Sequence, residues 1–138
     1  MSVLSRADIN RLLEAQQPLV EGWLDLAEQV QPNGFDISVR DIASLDSRGT
    51  IAATNSGRSV SKAGTLLFDE NGFIDLAPGV YLITYNEVVH LPTNVMALAR
   101  PRSSLVRCGV DVGTAVWDAG YSGRSNRGLW RAPAPGPV

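Results

Sequence analysis

The sequence predicts a mainly β domain that opens on a short helix. Three observations predict it. From Pro32 onward the apolar spacing changes from helical to alternating, as in Phe35, Ile37 and Val39 against Asp36, Ser38 and Arg40. Val80 to Val89 is rich in Val, Ile, Tyr and Thr, residues that suit a pleated, half-buried surface. Turn signals then recur at the roughly 8–12-residue spacing of an all-β sandwich or barrel. A chain of 138 residues with 44% hydrophobic content suits one domain with one core.

Taken in order, Ser5 has the position of a helix N-cap, with Asp8 three residues on as in a capping box. Leu4 and Ile9 have the spacing of a hydrophobic staple. Ile9, Leu12 and Leu13 mark the apolar face of a helix ending near Gln17, before Pro18. Val20 to Val30 is ambiguous: Trp23, Leu24, Leu26, Ala27 and Val30 fit a helix, but Gly22 weakens it. Pro32-Asn33-Gly34 is a turn leading into the strand at Phe35. Residues 43–62 are rich in Ser, Thr, Gly and Asn and read as loops with short strands, one over Thr50 to Ala53. Leu66 to Phe68 and Phe73 to Leu76 flank Asn71-Gly72, a hairpin signal. Pro78-Gly79 turns the chain into the long strand, Leu91-Pro92 closes it, and Val95 to Ala99 begins another. The proline-rich end, Asn126 to Val138, reads as irregular.

Composition excludes several classes. No apolar run approaches the roughly 18 residues of a membrane helix, and the N-terminus has no apolar signal region. A net charge of −2 points to neither nucleic acid nor a membrane surface as partner. Cys108 is the single cysteine, so an internal disulfide is impossible and a Cys-rich metal site is not expected. These features imply a cytoplasmic protein.

The chemistry concentrates between Arg100 and Arg124. In Arg102-Ser103-Ser104 a helical turn capped by Ser103 would aim backbone N–H groups and two hydroxyls at one anion. Arg102 and Arg107 would add charge and bidentate donors. A capped turn with two surface arginines is the plainer reading. Asp118 lies between Trp117 and Gly120-Tyr121, where a carboxylate near bound phosphates can orient or deprotonate a water. Tyr121 can stack on a sugar or base, and a simple turn aspartate is again the plainer alternative. His90, the only histidine, reads as structural, and Glu87 as an inward polar residue.

RPRSSLVRCG followed by TAVWDAGYSGR resembles the dUTPase/dCTP deaminase superfamily. QPNGFDISV, LAPGVYLITYNEVVHLP and ADINRLL are similar to further segments of that family, so the resemblance spans roughly residues 5–124. It implies a β-clip, a distorted β-barrel, usually in a homotrimer with active sites between subunits. It implies a deoxyribonucleoside triphosphate substrate and Mg²⁺. By position, Arg102, Ser103 and Ser104 match the phosphate-contacting motif, and Arg107 the arginine that follows it. Thr114, Ala115, Val116 and Trp117 match the segment whose backbone recognises the pyrimidine. Asp118 matches the aspartate that orients the attacking water, and Tyr121 the tyrosine that packs on deoxyribose.

Within the superfamily, deaminases carry a glutamate ten residues after this aspartate, and here that position is Gly128. Deamination needs a group to shuttle protons. The expected activity is therefore hydrolysis of dUTP to dUMP and pyrophosphate, with dCTP deamination as the alternative. SNRGLWRAPAPGPV matches neither the family's later strands nor its glycine-rich closing segment. This divides the chain into a nucleotide-binding domain over 1–124, incomplete by the family pattern, and an irregular tail over 125–138. A truncated, inactive member is the remaining expectation.

Overall fold

The computed structural model describes residues 2–113 and 115–133. They fall into two compact units: one within 1–40, 84–99 and 114–126, the other within 41–83, 100–113 and 127–138.

In the first unit, α1 (Arg6–Leu13) has the expected capping box. Ser5 Oγ accepts from Asp8 N at 3.3 Å, and Ser5 N donates to Asp8 Oδ2 at 3.1 Å. The Ser5 bonds, with Arg11 adding less, hold the Asp8 carboxyl below its usual 3.8. Ile9 and Leu13 are the buried face. The helix ends at Leu13, short of the expected Gln17. The ambiguous stretch after it resolves into β1 (Val20–Glu21), a turn with Gly22 at φ 74°, α2 (Leu26–Gln29) and β2 (Val30–Gln31). β2 pairs antiparallel with β3 (Gly34–Phe35), so the strand expected over Phe35 to Val39 is interrupted at residues 36–38.

The interruption has a cause. Ser38 N and Ser38 Oγ both turn to the buried Glu87 carboxylate, at 2.9 and 2.7 Å. Gln29 Nε2 is the third donor to it, at 2.7 Å, and also donates to Asp36 O at 2.8 Å. Gln29 Oε1 accepts from Leu24 N and Asp25 N, at 2.7 and 3.0 Å. A buried carboxylate requires such donors, and the backbone leaves the regular ladder to supply one. Glu87 is thus the inward polar residue expected from its place in the long strand.

That strand is β6 (Gly79–His90), which crosses from the second unit into the first by sequence. β1 lies antiparallel on its end, Val20 opposite Val89. β7 (Ala97–Leu98) pairs with β9 (Val116–Trp117), Ala97 opposite Trp117. The core of this unit is Ile9, Leu13, Leu19, Val20, Val30, Tyr85, Leu91 and Trp117.

In the second unit, β4 (Val39–Leu45) pairs with β5 (Ala63–Leu66), from Ile42 opposite Leu66 to Leu45 opposite Ala63. Thr50 makes one isolated bridge to Ser59, so the strand expected at 50–53 does not form. The Asn71-Gly72 turn is present: Asp69 Oδ1 accepts from Asn71 N and Phe73 N, and Gly72 has φ 79°. Residues 73–76 form no strand; the turn closes with Asp69 N donating to Phe73 O at 2.8 Å. α3 (Ser103–Arg107) leads into β8 (Val110–Val112), which pairs with β10 (Ser122–Arg131).

β10 corrects the expectation of an irregular tail from residue 125. It runs to Arg131, with Leu129 opposite Val112 and Arg131 opposite Val110. Ser125 and Leu129 are its buried residues. The prolines that suggested irregularity begin only at Pro133, beyond the strand. The hydrogen-bonded strand order is β5-β4-β6-β10-β8 with β1 on β6. The fold is mainly β, as expected.

Candidate functional site

The Asp118 segment belongs to the first unit. Tyr121 N donates to Asp118 O at 3.0 Å, and Gly120, third residue of the turn, has φ 81°. This is the signature of a type II turn, whose third position requires the positive φ that glycine adopts freely. Two backbone bonds tie the turn to the end of β6: Leu91 N to Tyr121 O at 2.8 Å and Gly120 N to Pro92 O at 3.2 Å. The Asp118 side chain stands exposed on a turn held by the main chain.

Tyr121 is half-buried, and its hydroxyl lies 2.8 Å from Ser125 Oγ. Trp117 Nε1 donates to the same Ser125 Oγ at 2.6 Å. Trp117 is buried beside Tyr85, with ring centroids 6.5 Å apart at 46°. The Trp117 side chain is therefore core, and only its backbone remains for a ligand. Ala115 and Val116 are exposed, Val116 pairing with Leu98. Thr114 lies outside the described residues. Arg124 Nη1 donates to Tyr85 O at 2.7 Å and to Asn86 O, securing the start of β10 on β6.

Sequence reasoning missed Ser125. A lone serine carries no motif; the available signal was its position four residues after Tyr121 and eight after Trp117.

His90 is tied into the fold by its neighbours. Its Nδ1 lies 2.7 Å from Ser122 Oγ and 3.1 Å from Gln17 Nε2, and its Nε2 is 3.5 Å from Glu21 Oε2. The ring joins the end of β6 to β1, β10 and the segment after α1.

The R-S-S-L motif belongs to the second unit and does form a helix. Its N-cap, however, is Arg102, not Ser103, and no side chain caps it. Arg102 holds the extended conformation of a cap, φ −64° and ψ 147°, and its carbonyl accepts from Leu105 N at 3.0 Å. Ser103 and Ser104 are the first helical residues, both exposed. Arg107 ends the helix, exposed, before Gly109 turns the chain with φ 72°.

Gly128 lies against Trp130 in this unit. A Cβ on Gly128 would meet the Trp130 ring at 3.0 Å, and one on Gly113 would meet it at 2.4 Å. Gly113 N also donates to Gly128 O at 2.7 Å. The indole thus covers the two glycines, and a carboxylate side chain at 128 would have to displace it. Gly128→Glu is expected to destabilise by about 1–3 kcal/mol, the cost of overpacking, and to shift Trp130 emission. Unchanged emission and denaturation midpoint would contradict this packing.

Among the described residues no three His, Cys, Asp or Glu side chains cluster as a metal cage, and no helix is long and apolar enough to cross a membrane.

Comparison with known proteins bears on the whole arrangement. A dCTP deaminase-like family model matches residues 3–129. A probable deoxyuridine 5'-triphosphate nucleotidohydrolase of Methanococcoides burtonii is 46% identical over 125 residues, 91% of this chain and 74% of that protein. One of the same name from Archaeoglobus fulgidus is 44% identical over 125 residues, covering 91% and 73%. The chain thus spans about three quarters of these curated relatives. The crystal structure of 2'-deoxycytidine 5'-triphosphate deaminase from Agrobacterium tumefaciens has the same fold, with TM-score 0.62 at 20% identity. The match covers 94% of this chain and 42% of that one. With the R-S-S-L helix and the D-A-G-Y turn both in place, the chain belongs to the dCTP deaminase-like family of the dUTPase/dCTP deaminase superfamily.

Proposed function

We propose that this protein is a dUTP diphosphatase, hydrolysing dUTP to dUMP and pyrophosphate. The observation that carries the reading is Asp118, an exposed carboxylate on a backbone-tied turn with Tyr121 beside it. Its relatives' names agree in kind. A water held by Asp118 gives up its proton to the carboxylate as it attacks, and the α–β phosphoanhydride breaks. Arg102, Ser103, Ser104 and Arg107 hold the phosphates and take up the charge that develops on the leaving pyrophosphate. The backbone of 114–117 reads the pyrimidine, and the Tyr121 ring packs on the deoxyribose.

Mg²⁺ fits this donor set as an ion carried by the substrate. Mg²⁺ commonly keeps several waters and binds through substrate phosphates and one or two carboxylates. Bound there, the ion neutralises phosphate charge.

Exposed apolar side chains support association with a further surface, and the homotrimer is what the resemblance implies. In the second unit Ile51 is 95% exposed, Leu67 86%, and Val60 and Phe73 72% each. So many large apolar groups in water mark a surface made for a partner, and a second copy of the chain is the commonest one. This reading includes a cytoplasmic location.

Gly128 favours dUTP hydrolysis over dCTP deamination, since a glycine brings no proton-shuttling acid to that position. The test is initial-rate hydrolysis of dUTP with Mg²⁺, with native mass spectrometry on the same sample. A trimer releasing dUMP, silenced by chelator, is the expected result. No dUMP at any Mg²⁺ concentration would reject the reading and leave an inactive family member.

A further inference from the structure

We propose that Ser125 is a positioning residue that sets discrimination between deoxyribose and ribose by clamping the Tyr121 ring. The proposal rests on the dUTP reading, in which that ring packs on the sugar.

Ser125 is a buried polar residue, 6% exposed, in a strand whose other buried side chain is Leu129. Its hydroxyl receives Trp117 Nε1–H at 2.6 Å and is bonded to the Tyr121 hydroxyl at 2.8 Å. Trp117, itself 5% exposed, is a rigid anchor. The Tyr121 main chain is fixed independently, by Tyr121 N to Asp118 O at 3.0 Å and Leu91 N to Tyr121 O at 2.8 Å. The ring also lies across the bare face of Gly123, where a Cβ would meet the Tyr121 hydroxyl at 3.2 Å. Tyr121 is therefore held at its backbone, along its ring and at its hydroxyl, where Ser125 Oγ at 2.8 Å is the shorter contact beside Arg124 O at 3.4 Å.

Stiffness is what sugar discrimination needs. A ribose differs from a deoxyribose by one added hydroxyl, and a compliant apolar surface yields to such an addition. Rejection of an added hydroxyl by a plain apolar pocket is worth only about 10²-fold, and less if the wall moves. Interior packing transmits position because it is dense and poorly compressible. The buried Trp117–Ser125–Tyr121 chain connects the sugar-facing ring to the core in that way.

The test compares kcat/KM for dUTP and UTP in wild type, Ser125→Ala, Ser125→Thr, Tyr121→Phe and the double variant Ser125→Ala/Tyr121→Phe. Ser125→Ala should lower the dUTP-to-UTP ratio by about tenfold, a substantial part of the discrimination such a surface can supply, and should raise KM for dUTP more than it lowers kcat. Ser125→Thr keeps the hydroxyl and should restore most of the ratio. Tyr121→Phe should reproduce the loss, and the double variant should lose no more than either single one, the mark of one shared interaction. A purely structural serine would lower turnover of both nucleotides alike. An unchanged ratio in Ser125→Ala, or additive losses in the double variant, would overturn the proposal. Tyr121→Phe alone decides the matter if Ser125→Ala fails to fold: an unchanged ratio there also overturns it. Absence of dUTP hydrolysis in wild type would instead remove the functional reading beneath the proposal, a separate outcome.

Discussion

Asp118→Asn should lower dUTP turnover by about 10²–10⁴-fold, the contribution of a positioned general base, and leave nucleotide affinity nearly unchanged. The turn around Asp118 is held by the main chain through Tyr121 N, Gly120 N and Leu91 N, none of which involves the carboxylate. Asparagine has the same shape, so the fold and the Tyr121 clamp should persist. What is lost is the ability to take a proton from water. Single-turnover rates with dUTP, and calorimetric titration with a non-hydrolysable α,β-imido analogue, separate the two effects. Full turnover in the variant would remove Asp118 from the mechanism. Affinity lost together with turnover would make it a binding residue.

The second large effect is on stability. Glu87 is 1% exposed, and its carboxylate has three donors: Gln29 Nε2, Ser38 N and Ser38 Oγ. Gln29→Leu removes one of them and also the acceptor for Leu24 N and Asp25 N. Losing one hydrogen-bond partner of a buried polar group costs about 1–3 kcal/mol, so a loss in that range is expected, Glu87 keeping its two Ser38 donors. Glu87→Gln should also destabilise, because an amide nitrogen must then face one of the same donors. A Gln29→Met/Glu87→Met pair should recover part of the loss, as apolar replacement of buried polar pairs often does. Urea denaturation measures all three. A midpoint for Gln29→Leu within error of wild type would show that the network does not hold the 29–38 segment.

Parts of this structure were legible because they rest on local chemistry. The Ser5–Asp8 box, the Asn71-Gly72 turn and the β-branched run of β6 each state their conformation within a few residues. The R-S-S-L and D-A-G-Y motifs were legible by resemblance, and they form a short helix and a glycine turn. The illegible parts depend on distant partners. Two-residue strands such as β1, β2 and β3 are too short to carry a period and exist only through pairing. The break at residues 36–38 answers to Glu87, about fifty positions away. β10 alternates weakly, and its proline-rich sequel obscured it. Ser103 was expected as the cap because serine favours that position, yet the turn begins one residue earlier, at Arg102. Ser125 gains its meaning only from the two aromatic side chains that converge on it.

Gly128 links legibility to activity. In sequence it was a missing glutamate; in the structure it is a surface covered by Trp130. The absence of the acid and the presence of the indole are one packing arrangement, and a glutamate at 128 would have to displace the ring.

The deciding measurement is a pair of incubations with the protein and Mg²⁺, one with dUTP and one with dCTP, products separated by chromatography. The account predicts dUMP with an equal amount of pyrophosphate, and dCTP left unchanged. Deoxyuridine nucleotides arising from dCTP, or dUTP remaining intact, would contradict it.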